Sequence, residues 1–424
     1  MNVYDAVIKR INLIFSEFEN IYVSFSGGKD SGVLMNFCID YARSHNRKFT
    51  VLYIDLEGMY KETTSFVHRL IENNLDVIIP EWVCLPLTTT NAVSMYEPFW
   101  TTWQPVKENK WIRSIPDYNY VINLKNNTYP FYKLGMTFEE FIIDYAKWQG
   151  IKGKTACLVG IRTQESLNRW RAVYRLDVAR YNNLNYSVNI SNNVFNFYPL
   201  FDWRVEDIWA YNGKFKKDYN KIYDLMYRAG VSIHKMRICE PFGDEQKAGL
   251  NMFKILEPET WIKVVDRVSG ANFGNIYCNS KATGYKEFNL PNGHTWKSYC
   301  KFLLSTLPNE TRKIYTFKFI KFINYWRKKG SPLPDDMINK LSNHNSVIIT
   351  DEYSNRGKGD KYVVKFNSIP DSIIGDNKTD MLSWKRMCMA ILKNDITCKS
   401  LSFSITKMQL EKRKEIINKY KSIL

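Results

Sequence analysis

No Cys-x-x-Cys pair occurs anywhere in the 424 residues. The eight cysteines, Cys38, Cys84, Cys157, Cys239, Cys278, Cys300, Cys388 and Cys398, stand apart from one another. That spacing excludes zinc ribbons and cubane iron–sulfur sites, and it predicts reduced, buried thiols. No stretch of about 18 residues runs apolar without a charge, so no segment qualifies as a membrane span. The opening residues, MNVYDAVIKRINLIF, place charges inside a helix-periodic apolar pattern rather than ahead of an apolar block and a cleavage site. No secretion signal is visible, and the chain is expected in the cytoplasm. Neither the Walker pattern G-x-x-x-x-G-K-[ST] nor the dinucleotide pattern G-x-G-x-x-G is present, which sets aside the two commonest phosphate loops.

The chain does have length, charge and one unusual turn. Its 45% hydrophobic composition supports a large core, and the length favours two or three domains. A net charge of +17 fits a polyanionic partner, DNA or RNA among them; plain solubility is the other reading. Residues 301–424 hold 24 Lys plus Arg against 12 Asp plus Glu, so much of the excess lies there.

The N-terminal part alternates element types. Apolar spacing predicts helices over 4–17, 30–44 and 61–73 and strands over 20–25, 49–55, 76–79 and 156–161. That rhythm implies an α/β fold with a parallel sheet. About 75 residues, 81–155, separate the third and fourth strands, too many for a bare loop. FNFYPLFDW then reads as a strand leading into the helix of RVEDIWAYN. The rhythm stops near residue 250, giving an N-terminal domain over 1–250 and a basic, mainly helical domain over 251–424, with a strand at 361–366.

The turn is SFSGGKDSG, residues 24–32, set between the first strand and the second helix. Paired glycines let the backbone turn sharply and approach a ligand, while the helix that follows aims free N–H groups and a positive dipole at the same point. Lys29 adds a mobile charge, and Ser24, Ser26 and Ser31 add short donors. The turn is therefore read as a phosphate site. Asp30 reads as a helix cap that can also serve the ligand. Asp55 and Glu57 end the second strand, at the edge where open α/β sheets bind ligands, and nucleotide or magnesium contact stands there beside simple solvation. Arg162 ends the GIR strand at the same edge. Arg169 and Arg171 follow it, too close in sequence to share a helix face. Glu165 and Asp202 read as structural acceptors. Trp100, Trp103 and Trp111, with Arg113, either stack bases or build an aromatic core for the long insertion. Cys239 follows His234, Lys235 and Arg237, whose charge favours a reactive thiolate; a packed thiol is the other reading, as it is for Cys398.

SGGKDS and the strand before it resemble the PP-loop of the ATP pyrophosphatases. That superfamily includes phosphoadenosine phosphosulfate reductases, sulfurylase small subunits and tRNA and DNA thiolation enzymes. LVGIRTQESLNRWRA (158–172) and YPLFDWRVEDIWAY (198–211) resemble further signatures of the reductase-like branch. EPFWTTW, YNKIYDLMYRAGVSIHKMRICEPFGDEQKAGL, EPETW and SWKRMCMAILKND resemble the subgroup with an extra C-terminal domain, which includes the immunoglobulin-binding regulator A type of phages and mobile elements. The resemblance implies an adenine nucleotide alpha hydrolase-like domain that binds ATP and Mg²⁺ and cuts the bond between the α- and β-phosphates. Its phosphate-binding residues here would be Ser24, Ser26, Gly27, Gly28, Lys29, Asp30 and Ser31, joined by Asp55, Glu57, Gly160, Arg162 and Arg169. Lys29 and Arg162 would carry the chemistry. The metal ligands are left unassigned. Sulfonucleotide reductase activity is one alternative, although the true reductases carry a catalytic cysteine near the C-terminus and no cysteine follows Cys398 here. A regulatory nucleotide- and DNA-binding protein acting with a ParB-like partner is the other.

Overall fold

The computed structural model describes residues 2–174, 178–191, 193–238, 242–243, 250–272, 290–333, 335–342, 344–354, 361–374 and 381–401. It comprises two compact units. One is built from Met1–Thr89, Thr101–Pro241 and Met252–Arg267, the other from Thr90–Trp100, Phe242–Asn251 and Val268–Leu424. The division is not a single point in the chain, since 90–100 joins the second unit and 252–267 returns to the first.

The first unit is organised around a seven-stranded sheet of β1 (Asn20–Ser24), β2 (Phe49–Ile54), β3 (Ile78–Val83), β4 (Val121–Ile122), β5 (Thr155–Val159), β6 (Ser187–Ser191) and β7 (Val194–Phe197). The strand order is β4-β3-β2-β1-β5-β7-β6. Every pairing is parallel except that of β6 with β7. Alternation along the strands divides the core into two layers, because successive side chains point to opposite faces. Ile21, Val23, Val51, Tyr53, Ala156 and Leu158 belong to one buried cluster; Tyr22, Leu52 and Cys157, the residues between them, belong to another. The first cluster is covered by α1 (Val3–Glu17), α2 (Lys29–Ser44), α3 (Lys61–Glu72) and α6 (Val205–Lys214), through residues such as Ile14, Phe37, Phe66 and Ile208. The second is covered by α4 (Phe138–Ile151), through Phe141 and Tyr145. Fully burying a side chain of this size contributes roughly 1.5–3 kcal/mol, so this double layer fixes the sheet edge that carries the site.

The long insertion is part of this sheet. Its residues supply β4, which pairs with β3, and α4, whose start is set by a capping box between Thr137 and Glu140. Trp103 is buried in the main core and Trp111 packs edge-on against it at 5.4 Å. In the second unit, Trp100 packs against Phe242 at 5.1 Å. The buried tryptophans follow the core reading and not base stacking. The third strand begins two residues later than the expected 76–79 and runs to Val83, because Trp82 and Val83 also face apolar layers. β6 was not anticipated: Ser187–Ser191 alternates polar and apolar residues, but with only two apolar positions, too short a pattern to stand out beside β7.

The second unit packs α9 (Trp296–Thr306), α10 (Asn309–Lys328), α11 (Asp335–Leu341) and α12 (Trp384–Leu392) with a small antiparallel sheet. That sheet has the order β8 (Ser331–Pro332), β10 (Lys361–Phe366), β9 (Val347–Ser354). β10 coincides with the strand expected at 361–366. No helix among the described residues is long and apolar enough to cross a membrane.

Candidate phosphate and oxyanion site

The strand order turns at β1 and β5: from β1 the chain proceeds outward through β2 and β3, then returns to the other side of β1 with β5. A crevice beyond the C-terminal ends of two such strands is the usual ligand position in an open α/β sheet. SFSGGKDSG lies there. Gly27 has φ +70°, and a β-carbon on it would come within 2.8 Å of Thr63 Cγ2 and 2.9 Å of Val67 Cγ2. Gly28 caps α2, and its carbonyl accepts from Gly32 N at 2.8 Å. The Ser26 and Ser31 hydroxyls meet at 3.0 Å, bracing the two ends of the turn. Ser24 closes β1 just before it. Gly160 is required on the other wall, since a β-carbon there would lie 2.8 Å from both N and Cα of Ser31.

Three charged side chains are brought together at this point. Arg162 Nε donates to Asp30 Oδ1 at 2.5 Å, and Lys29 Nζ lies 3.3 Å from Asp30 Oδ2. All three residues are buried. Lys29 has further partners from one later segment of the chain: its backbone N–H donates to Tyr223 Oη at 3.1 Å, and its ammonium donates to the Met236 carbonyl at 3.1 Å. Asn220 anchors that segment, donating to the Gly27 carbonyl at 2.9 Å and to Thr63 Oγ1 at 3.0 Å. α7 (Ile222–Arg228) follows directly.

Beside this cluster is a cavity of about 80 Å³, lined by Lys29, Arg162, Gln164, Glu165, His234 and Arg237 among others. Gln164 Oε1 accepts from Arg162 Nη1 at 3.2 Å and from Val205 N at 3.0 Å, tying the wall to the start of α6. Glu165 is shared between Arg169, 3.7 Å away, and Arg237, 3.8 Å away. Among the described residues of its lining, four cationic or protonatable side chains stand against one carboxylate, so the cavity suits a small oxyanion.

Asp55 and Glu57 are placed differently. Asp55 is buried, pairs with Arg113, and accepts from Trp82 Nε1 at 2.8 Å. Glu57 is fully buried at φ +61° and accepts from Arg267 Nε at 2.8 Å, Arg267 Nη2 at 3.0 Å, Trp103 N at 2.6 Å and Ile112 N at 3.2 Å. Neither lines the cavity. Their partners lie dozens to hundreds of residues away in sequence, so strand-end position alone could not reveal them. Among the described residues no group of three His, Cys, Asp or Glu side chains is placed to hold a metal ion. Among the described residues, the loop carboxylate Asp30 and the cavity carboxylate Glu165 are already engaged by cations, so these two do not form a protein-built magnesium site. Asp202 is held by Nη1 and Nη2 of Arg10, at 2.8 and 2.7 Å, a structural pair. Cys398 is buried in the second unit, where burial pushes its thiol up to about 12. Cys239 lies outside the described residues.

Sequence reasoning missed Tyr223, Asn220, Gln164 and Met236. Met236 contributes a backbone carbonyl, for which no side-chain signal exists.

Residues 20–230 match the phosphoadenosine phosphosulfate reductase domain, and residues 230–412 match a domain of unknown function, DUF3440. The YbdN protein of Escherichia coli K12, described as uncharacterised, is 34% identical over 412 residues, covering 96% of this chain and 92% of its own. The chain belongs to this family. Its members join a phosphoadenosine phosphosulfate reductase-like PP-loop domain, which binds nucleotide, to an extra C-terminal domain. Among solved structures, the phosphate complex of phosphoadenylyl-sulfate reductase from Candida auris is 15% identical with a TM-score of 0.31, covering 52% of this chain and 84% of that one. FMN adenylyltransferase from Candida glabrata is also 15% identical, with a TM-score of 0.30, covering 52% of this chain and 58% of that one.

Proposed function

We propose that the N-terminal unit binds ATP with its phosphates on Ser26 to Ser31 and transfers AMP to an acceptor oxygen, releasing pyrophosphate. The observation that supports this most directly is the position of Lys29, which reaches the phosphate loop through its backbone and the oxyanion cavity through its side chain. In this reading the phosphate oxygens replace Tyr223 Oη and the Met236 carbonyl as acceptors of the two Lys29 donors. The acceptor, a small oxyanion or an oxygen on a nucleic acid, is held by Arg162, His234 and Arg237. Its oxygen attacks the α-phosphorus, the bond from that phosphorus to the bridging oxygen breaks, and the pyrophosphate leaves with the electron pair. Lys29 and the N-terminal N–H groups of α2 stabilise the charge that develops on the leaving group. Magnesium arrives on the nucleotide, coordinated by phosphate oxygens.

A second reading, sulfonucleotide reduction, is favoured by the reductase-domain match over 20–230. It requires a thiolate that reaches the cavity. Cys398, buried with its thiol raised to about 12, is poorly suited, and Cys239, two residues beyond Arg237, is the better candidate.

Incubation with α-labelled ATP and RNA, DNA or sulfate is expected to yield a labelled adenylyl product and pyrophosphate, both lost in Lys29→Ala. In parallel, phosphoadenosine phosphosulfate with thioredoxin or glutaredoxin is expected to yield no sulfite. Sulfite formation that disappears in Cys239→Ser would establish the reductase reading instead. Orthophosphate as the sole product of ATP would place the cut at the γ-phosphate.

A further inference from the structure

The cavity wall continues into a helix whose exposed face is apolar and aromatic. α5 (Leu167–Tyr174, LNRWRAVY) begins two residues after Glu165, and Arg169 in its first turn reaches back to that cavity-lining carboxylate. Val173 is the one residue of this helix that is buried. Leu167, Trp170 and Tyr174 are exposed by 61%, 47% and 37%, and their spacing of three and four residues puts them on one side of the helix. The Trp170 and Tyr174 rings touch each other, with centroids 5.0 Å apart. The helix contains two arginines, Arg169 and Arg171, and no acidic residue.

Tyr174 also packs edge-on against Phe201 of the core at 6.2 Å, which fixes the ridge while its outer face stays open to an external partner. Adjacent aromatic rings on a helix whose charged residues are all cationic present stacking faces for bases in a positively charged setting that favours phosphates. The neighbouring oxyanion cavity extends the same charge complementarity. Cellular RNA leaves bases unpaired in loops and ends, where aromatic side chains reach them, whereas DNA bases are normally paired.

We propose that the Leu167–Trp170–Tyr174 face of α5 is the docking surface for a single-stranded RNA segment, with bases on the two rings and a phosphate toward the cavity. This rests on the reading above only in treating the cavity as an anion site.

The test is fluorescence anisotropy of a fluorescein-labelled 12-nucleotide RNA of mixed sequence, titrated with the full chain at low and high salt, beside calorimetric ATP titration of the same preparations. Binding is expected to weaken about tenfold in Trp170→Leu and again in Tyr174→Leu, to be retained in Trp170→Phe, and to fall steeply with salt. ATP affinity is expected to be unchanged in all three variants, whose altered rings lie on the surface. RNA affinity unaltered by Trp170→Leu and Tyr174→Leu overturns the proposal. So does equal or tighter binding of a DNA duplex of the same sequence, whose bases are paired, and so does failure of RNA to bind while ATP binds, which would leave the face to a protein. RNA binding through α5 in a chain that does not bind ATP would support this surface and refute the nucleotide reading instead.

Discussion

Arg162 and Asp30 offer the sharpest test of how the phosphate loop is held. Arg162 Nε and Nη2 donate to the two carboxylate oxygens of Asp30 at 2.5 and 3.5 Å, with side-chain exposures of 4% and 12%. With charge centres about 4 Å apart and an effective dielectric near 20, the attraction is roughly 4 kcal/mol. Removing one partner of a buried pair typically costs about 3–5 kcal/mol, because the survivor keeps its desolvation cost. In Arg162→Ala, Asp30 retains Lys29 at 3.3 Å, which limits the loss to the lower part of that range, roughly 3 kcal/mol. In Asp30→Asn, Arg162 and Lys29 lose the carboxylate that stands between them, and a loss of similar size is expected. The double variant removes both halves and should be destabilised by clearly less than the sum. Hydrogen exchange of the α2 amides, measured by mass spectrometry across a urea series, reports the unit that carries the loop without relying on a single transition for the whole chain. A coupling of at least about 2 kcal/mol is expected. Single losses below about 1 kcal/mol, or effects that add within about 0.5 kcal/mol, would refute the claim that this pair organises the loop.

Gly160→Ala places a β-carbon 2.8 Å from the Ser31 backbone, so the chain should still fold but bind nucleotide at least about tenfold more weakly, or about 1.4 kcal/mol, by calorimetry. Unchanged affinity would mean the β5 end does not support the loop. Lys318 is buried in the second unit, and burial lowers its ammonium pKa below the ordinary value. Its unfolded form therefore binds more protons between the lowered value and about 10.4, and stability should rise with pH across that window. Thermal melts from neutral to alkaline pH should show this slope reduced in Lys318→Met, which should also be the more stable protein at pH 7. An identical slope in both would remove Lys318 as its source.

The strand–glycine turn–helix unit and the sheet on either side of it were legible because each depends on local sequence: a glycine pair, a helix start, and apolar runs of strand length. β10 was legible for the same reason. What escaped was set by distance along the chain. Tyr223 and Asn220 act on residues almost two hundred positions away, and nothing in YNKIYDL marks a hydroxyl and an amide destined for the loop. Asp55 and Glu57 lie at the strand end where a ligand contact was expected, but the partners that engage them, Arg113 and Arg267, come from the insertion and from beyond the expected domain boundary. The tryptophans of the insertion were ambiguous for a related reason, since exposure cannot be read from composition.

Arg267 has a consequence for how such a protein can be rearranged in evolution. The residue that neutralises Glu57, deep beneath the β2 end, is the last residue of α8 (Pro258–Arg267), a helix reached only after the chain has contributed 242–251 to the other unit. A recombination event that cut the gene near residue 250 would leave Glu57 buried with two N–H donors and no cation. The two units therefore cannot be exchanged between genes like beads on a string; a transferable N-terminal unit must carry the codons through Arg267, and with them a segment that belongs to its neighbour.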